Sequence, residues 1–152
     1  VFGLPYVVVL PPGSGPVSGT TSGAAARAGI PAVIPEAGGV GQLQAEAVAL
    51  HLRGLERVLR RLGMLDGAIE PLPDPTLIRD FVWVRAERGG FFHKSVVAGD
   101  TIMAGQSIGQ MLDLWGAPRE EVASPVQGVV LFVTTSPAIA DNGLLVGIGV
   151  PA

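Results

Sequence analysis

The sequence predicts a mixed fold: a partial α/β layer with a parallel sheet, followed by a small all-β domain. Strand and helix patterns alternate through residues 1–65, and only short strand patterns occur over residues 77–152. Residues 66–76 between them contain three of the 13 prolines and favour a linker. The 22 glycines, spread among short apolar runs, favour tight turns between strands. We therefore predict two domains, 1–65 and 77–152, joined by a linker at 66–76.

The first domain shows the order strand, helix, strand, helix. Tyr6–Leu10 and Ala32–Ile34 are apolar, β-branched runs bounded by prolines, as expected for buried strands. A loop at Gly13–Gly19 and a short helix at Thr20–Ala28 separate them, and Gln42–Leu62 has the periodicity of a long amphipathic helix. Two strands are too few for a complete doubly wound domain, and the chain opens directly in a strand. We therefore expect a C-terminal fragment of a larger domain.

The second domain shows no helical periodicity. Its short apolar runs are separated by glycine, proline and Asn-Gly turns, which is typical of a small barrel or sandwich. The predicted strands are Phe81–Ala86, Gly90–His93, Ser95–Val97, Ser107–Leu112, Gly128–Thr134 and Leu144–Val150.

Composition excludes several classes of function. Apolar residues make up 48% of the chain and charged residues 15%, which excludes a disordered protein. The net charge is −3 and the basic residues are scattered, apart from Arg57, Arg60 and Arg61 on the long helix, so we expect no nucleic-acid partner. No apolar run is long enough to cross a bilayer, so we expect no membrane partner. The absence of cysteine is typical of a reducing compartment, and we expect a cytoplasmic protein.

Glu36 is the candidate catalytic residue. It follows the predicted strand Ala32–Ile34 and precedes the glycine-rich loop Ala37–Gly41. Open α/β sheets bind ligands at the carboxyl ends of their strands, and glycines leave space in front of a carboxylate. A glutamate in such a place is a typical general base of hydrolysis. The alternative interpretation, a strand-end glutamate that caps the next helix, is left open by the local sequence.

The segment Gly29–Gly41, with the helix that carries His51-Leu52-Arg53-Gly54-Leu55 and ends at Val58–Leu65, resembles the succinylglutamate desuccinylase/aspartoacylase family. These enzymes are similar in fold to zinc carboxypeptidases. The resemblance implies that Glu36 is the base that activates a zinc-bound water. It also implies a substrate-binding role for Arg27, whose guanidinium suits a carboxylate. A solvated arginine at the end of a helix is the alternative for Arg27.

The zinc that the resemblance implies has no predicted ligands in this chain. The family holds its metal with a histidine and a glutamate close together and a later histidine, all upstream of this region. The histidines of this chain are His51 and His93, and neither has a second ligand at metal-binding spacing. We interpret both as structural or surface residues.

The second domain resembles the barrel-sandwich fold of biotinyl and lipoyl carrier domains. The turns Gly99-Asp100, Gly105-Gln106 and Ser124–Gly128 carry this resemblance. A carrier needs a lysine at the tip of the hairpin between these turns, but Met111–Pro118 contains none and Lys94 lies upstream. A carrier function is therefore not expected. The desuccinylase/aspartoacylase family has a C-terminal β domain with the same turns. Both predicted domains therefore resemble parts of the same family.

Together these patterns predict part of a zinc-dependent amidohydrolase for an N-acyl amino acid or a related small carboxylate. The fragment alone is expected to be inactive, because it lacks metal ligands. The alternative is a non-catalytic binding or assembly module with a degenerate biotinyl/lipoyl-like barrel. The expected partner is the small-molecule substrate, and the sequence leaves a homo-oligomer open.

Overall fold

The computed structural model of the chain describes residues 1–9 and 18–152. The predicted end of the first strand at Leu10 and most of the predicted loop Gly13–Gly19 lie outside these residues. Two helices are described, α1 (Thr21–Arg27) and α2 (Ala45–Arg61). The strands are β1 (Tyr6–Val8), β2 (Thr76–Arg85), β3 (Gly90–Lys94), β4 (Thr101–Ile102), β5 (Ser107–Leu112), β6 (Pro118–Ala123), β7 (Gly128–Val133), β8 (Ala138–Ile139) and β9 (Leu144–Pro151).

These elements fall into two compact units. The first unit contains both helices, and its described residues are 1–5 and 18–75. The β unit contains every described strand, and it consists of residues 6–9 and 76–152. No described helix is long and apolar enough to cross a membrane.

Both predicted helices are confirmed, with ends one to three residues inside the predicted bounds. Thr20 caps α1, because its Oγ1 accepts a hydrogen bond of 3.0 Å from the backbone N–H of Gly23. Gly29 after α1 and Gly63 after α2 both have φ of +71°, the left-handed conformation in which helices commonly end. Arg60 and Arg61 in the last turn of α2 complement the helix dipole.

The predicted strand Ala32–Ile34 is wrong. The backbone of this segment has no strand partner among the described residues, and a strand requires hydrogen bonds to a neighbour. Val33 and Ile34 are 76% and 61% exposed, so the segment is not buried as predicted. The predicted parallel α/β sheet is therefore not formed by the described part of the first unit.

The strand predicted at Tyr6–Leu10 is present as β1, but its surroundings differ from the prediction. β1 pairs in parallel with β2, with Tyr6 opposite Thr76, and it lies at the edge of a β-unit sheet. Val7 and Val8 are 41% and 48% exposed, so β1 is not covered on both faces. An apolar run shows that a strand is favoured, but it does not specify the strand's partner.

The β unit contains two mixed or antiparallel sheets. One has the order β1-β2-β9-β7-β4, and the other has the order β6-β5-β3-β8. All pairings except β1–β2 are antiparallel. Neither sheet closes into a barrel over the described residues, so the barrel-sandwich form stays a prediction.

One apolar core lies between the two sheets. Both sheets contribute fully buried side chains to it, including Ile108 from β5 and Val130 and Ile148 from β7 and β9. Alternation along each strand directs these residues inward and their neighbours outward. The other buried members are Ala86, Phe92, Val96, Ile102, Met111, Val122, Leu145 and Val146.

Five of the six predicted strands of the β unit are confirmed. Four of them agree to within one residue at each end, whereas β2 begins at Thr76, five residues before the predicted start at Phe81. Ser95–Val97 is not a strand. The strands β4, β6 and β8 were not predicted. β4 and β8 have two residues each, and β6 contains Arg119, Glu120 and Glu121. β6 is an edge strand, where charged side chains are common because one side of the strand faces solvent.

Candidate functional site

Glu36 lies in an exposed segment of the first unit that has no regular secondary structure, and not at the end of a strand. Its side chain makes no hydrogen bond or ion pair with any residue in the described ranges. The backbone after it turns at Gly38, whose φ is +84°. A Cβ on Gly38 would lie 2.9 Å from the Cβ of Ala47 in α2, so the loop packs closely on the helix. The absence of a side chain on Gly38 therefore allows this approach. Glu36 itself is exposed to solvent.

Arg27 is the last residue of α1, and its side chain is exposed. No hydrogen bond or ion pair joins it to another described residue. Both candidate residues are in the first unit, but no described interaction connects them. The assigned roles of Glu36 and Arg27 therefore stay predictions.

His51 packs inside the first unit. Its ring meets the ring of Phe2 edge to face, with centroids 6.2 Å apart and an interplanar angle of 72°. Phe2 also covers Gly54, one turn further along α2, because a Cβ there would overlap the Phe2 ring. The glycine in the motif His51-Leu52-Arg53-Gly54-Leu55 thus has a packing role. The local sequence does not indicate the contact between Phe2 and Gly54, since these two residues are 52 positions apart.

Metal ligands are not assembled by the residues that the structure describes. Within residues 1–9 and 18–152, no three His, Cys, Asp or Glu side chains come together in a group that could hold a metal ion. His51 is in the first unit, and His93 is an exposed residue of β3 in the β unit. The remaining residues, 10–17, include none of these four residue types. The side chains of this chain therefore do not fit the zinc that the resemblance implies.

We expect the 152-residue chain to bind no stoichiometric zinc, because a structural or catalytic zinc needs at least three protein ligands. The measurement is elemental analysis of the purified chain after incubation with excess zinc and desalting. One tight zinc per chain would contradict this expectation. The His51→Ala variant serves as the matched sample, since it would lose any metal that His51 holds.

Lys94 does not lie at a hairpin tip. It is the last residue of β3, where it pairs with Gly109 of β5. The hairpin turn between β5 and β6 consists of residues 113–117 and contains no lysine. Carrier domains present their lysine on such a tip, so the position of Lys94 does not suit a ligase.

We expect no biotin or lipoate on this chain when it is co-expressed with the corresponding ligase. Intact-mass spectrometry would show the unmodified mass, because Lys94 is held within a paired strand. A Trp115→Lys variant places a lysine at the β5–β6 tip and shows whether the ligase can reach that position. Added mass at Lys94 would restore the carrier interpretation.

Comparison with known proteins finds one curated relative by sequence and several solved structures with a similar fold. No protein-family model matches it. A curated relative, the N-alpha-acetyl-L-2,4-diaminobutyric acid deacetylase of Halomonas elongata, is 28% identical over 86 residues. That match covers 54% of this chain and 25% of the relative.

Solved structures match the chain over nearly its whole length. The ectoine utilization protein EutE of Ruegeria pomeroyi in its apo form has a TM-score of 0.86 and 25% identity, with 98% of this chain and 48% of that chain covered. Its product-bound form has a TM-score of 0.84 and 26% identity, with 98% of this chain and 46% of that chain covered. A succinylglutamate desuccinylase/aspartoacylase from Rhodobacter sphaeroides has a TM-score of 0.83 and 23% identity, with 99% of this chain and 47% of that chain covered.

This chain spans about half the length of these solved structures. Its two helices and mixed sheets fit the C-terminal half of their fold. The predicted resemblance of this chain to the C-terminal part of succinylglutamate desuccinylase/aspartoacylase family proteins is therefore confirmed.

Proposed function

We propose that this chain forms the C-terminal part of a zinc-dependent hydrolase that cleaves the amide bond of an N-acyl amino acid. The observation that carries the proposal is the 28% identity over 86 residues to an N-alpha-acetyl-L-2,4-diaminobutyric acid deacetylase. The likeness in fold to EutE over 98% of the chain, at 25% identity, supports it. Because the chain spans about half of the solved relatives, the activity is proposed for a longer protein that contains it.

The proposed substrate is a small amino acid with an acyl group on an amino nitrogen. The name of the curated relative specifies an acetyl group on diaminobutyric acid, which makes N-acetylated diamino acids the first compounds to test. We propose that Arg27 binds the carboxylate of the substrate. Its exposed guanidinium has no carboxylate partner among the described residues, so it is available for such a contact.

Glu36 is the proposed general base. It would take a proton from water as the oxygen of that water attacks the carbonyl carbon of the amide, and it would then give that proton to the amide nitrogen as the C–N bond breaks and the free amine leaves. Its solvent-open position and the glycine loop beside it support this role, because substrate and water need access to the carboxylate. The zinc of this enzyme would be held by residues outside this chain, since the described side chains do not form a metal site.

The exposed apolar surface of the first unit supports the proposal that further protein covers it. Leu52 and Leu55 of α2 are 56% and 53% exposed, and Val33 and Ile34, shortly before Glu36, are 76% and 61% exposed. Large apolar side chains gain from leaving water, so this exposure favours a contact with further protein. We propose that the catalytic domain is completed by protein that is not part of these 152 residues, so that this chain alone is inactive.

The proposal extends to the domain organisation of the chain and the location of the enzyme. We propose a catalytic part at 1–65, a linker at 66–76 and a barrel-sandwich domain at 77–152. We also propose that the enzyme works in the cytoplasm.

The test is an amine-release assay on the longer protein with a panel of N-acetyl, N-succinyl and N-formyl amino acids. We expect release of free amine from at least one N-acyl amino acid, and no release from simple peptides. In the same assay, Arg27→Ala is expected to raise KM about tenfold or more, because one charge-assisted contact is lost. An intact, metal-loaded protein that releases no amine from any member of the panel would overturn the proposal.

A further inference from the structure

The chain contains two tryptophans, and neither is in the core. Trp115 is 92% exposed and Trp83 is 52% exposed, and both belong to the β unit. Tryptophan is usually well buried, because its large ring gains most from leaving water. Two exposed tryptophans in one small unit therefore indicate a contact surface.

Trp115 lies at the tip between β5 and β6, and we call residues Leu114 and Trp115 the tip. Leu114 is 76% exposed. The carboxylate of Asp113 accepts hydrogen bonds from the backbone N–H groups of Trp115 at 2.8 Å and Ala117 at 2.9 Å. The Asp113 N–H donates to the Ala117 carbonyl oxygen at 2.9 Å, and Gly116 has φ of +84°. These hydrogen bonds stabilise the turn, and the two apolar side chains on it are exposed to solvent.

The two hydrogen bonds to the Asp113 carboxylate are present at neutral pH. The backbone N–H groups of Ala117 and Trp115 hold the pKa of Asp113 below its usual range. The carboxylate is then ionised at neutral pH and accepts both hydrogen bonds. A preformed turn loses little conformational entropy on binding, which favours association through its side chains.

Trp83 belongs to a second apolar surface, on the outer face of the larger sheet. We call Phe81, Trp83 and Phe132 the patch. The ring centroids of Phe81 and Trp83 are 4.4 Å apart, and those of Trp83 and Phe132 are 6.1 Å apart. Between them lies Gly147 of β9, where a Cβ would meet the Phe81 ring at 2.6 Å. The missing side chain thus lets the aromatic rings lie across the strand.

Charges near the tip and the patch are opposite in sign. The β5–β6 hairpin carries three carboxylates and one guanidinium, whereas β2, which carries most of the patch, has two guanidiniums and one carboxylate. An acidic tip is not attracted to an anionic lipid surface, but it suits an apolar surface with basic neighbours. The chain itself provides such a surface on its patch.

We propose that the β unit associates with a second copy of this chain, with the tip of each copy packed on the patch of the other. A twofold arrangement makes this contact twice, which doubles the buried area. The repetition brings both tips and both patches into the interface. This is needed because one exposed aromatic side chain alone buries only about 150–250 Å² of the roughly 1,200 Å² that a stable interface requires. The contact does not depend on hydrolysis, so it is testable whether or not the proposed function holds.

The experiment is sedimentation velocity of the 152-residue chain from about 1 to 200 μM, a range that covers ordinary dimer affinities. We expect the wild-type chain to form a dimer within this range. Trp115→Ser and Trp83→Ser are each expected to be monomeric at concentrations where the wild type is dimeric. The matched control is Val97→Ser, which removes a 59% exposed apolar side chain elsewhere in the β unit and should leave the dimer intact.

Mixing the two tryptophan variants distinguishes this contact from a tip-to-tip contact. The Trp83→Ser chain keeps its tip and the Trp115→Ser chain keeps its patch, so the mixture can form one of the two contacts. We expect partial dimer in the mixture and none in either variant alone. A dimer of Trp83→Ser alone that matches the wild type would show a tip-to-tip contact and overturn the proposal. A wild-type chain that stays monomeric throughout would overturn it as well.

Fluorescence keeps the proposal testable if a serine variant fails to fold. Trp83→Phe keeps an aromatic ring in the patch and leaves Trp115 as the single tryptophan. Its emission maximum is expected to shift to the blue, and its quenching by acrylamide to fall, as the concentration rises through the dimer range. An emission maximum that stays at the value of solvated tryptophan at every concentration would contradict the contact.

Discussion

Replacing Ile148 by alanine is expected to destabilise the β unit by about 2–5 kcal/mol. Ile148 is fully buried in β9, the central strand of the larger sheet, and it lies in the core shared with the second sheet. The change removes three carbons from a packed site, and the surrounding side chains cannot close the cavity completely. The measurement is urea unfolding followed by Trp83 fluorescence in a Trp115→Phe background.

Ile30→Ala is the matched control for this prediction. Ile30 is 59% exposed in the first unit, so the same loss of carbons should change stability by less than about 0.5 kcal/mol. If Ile148→Ala unfolded at nearly the same urea concentration as the control, the core described between the two sheets would be wrong. Comparing the two midpoints also removes effects of the composition change itself.

The sequence was sufficient for the elements whose signals are local. The helix α2 follows from its periodicity and its terminal Gly63, and α1 follows from the hydroxyl residues Thr20–Ser22 at its start, any of which could cap it, and from Gly29 at its end. Most strands of the β unit follow from short apolar runs between turns. These features depend on neighbouring residues, so a single sequence contains the information.

The sequence was not sufficient where the structure depends on distant partners. Ala32–Ile34 has the composition of a buried strand, but its backbone has no partner strand in the described chain. β6 has a charged sequence, but it pairs with β5 because an edge strand tolerates charge. The packing of Phe2 on Gly54 joins residues far apart in sequence, and no local pattern reports it.

The roles of the candidate site residues stay predictions. Glu36 was singled out from its glycine-rich setting and the family resemblance, and it is exposed in the structure. Its predicted position at the end of a strand was wrong. The exposed tip at Leu114 and Trp115 was not singled out, because an apolar pair in a turn does not show from sequence whether it is buried.

Glu36→Gln is expected to lower the turnover of the longer enzyme about a hundredfold or more, because the amide cannot accept a proton from water. The side chain is exposed and makes no described hydrogen bond, so the fold should not change. Glu36→Asp is expected to lower the turnover less than Glu36→Gln does, because the carboxylate is kept but lies one methylene further from the water. Glu46→Gln, an exposed glutamate in the first turn of α2, is the matched control and should keep normal turnover.

The most direct measurement is the turnover of Glu36→Gln and wild-type longer enzyme on the same N-acyl amino acid, with zinc content and thermal unfolding determined on the same samples. We expect equal zinc content, equal unfolding temperature and a turnover that is lower in the variant by about a hundredfold or more. Near-normal turnover in the Gln variant would show that Glu36 is not the general base and is a loop residue without a role in catalysis.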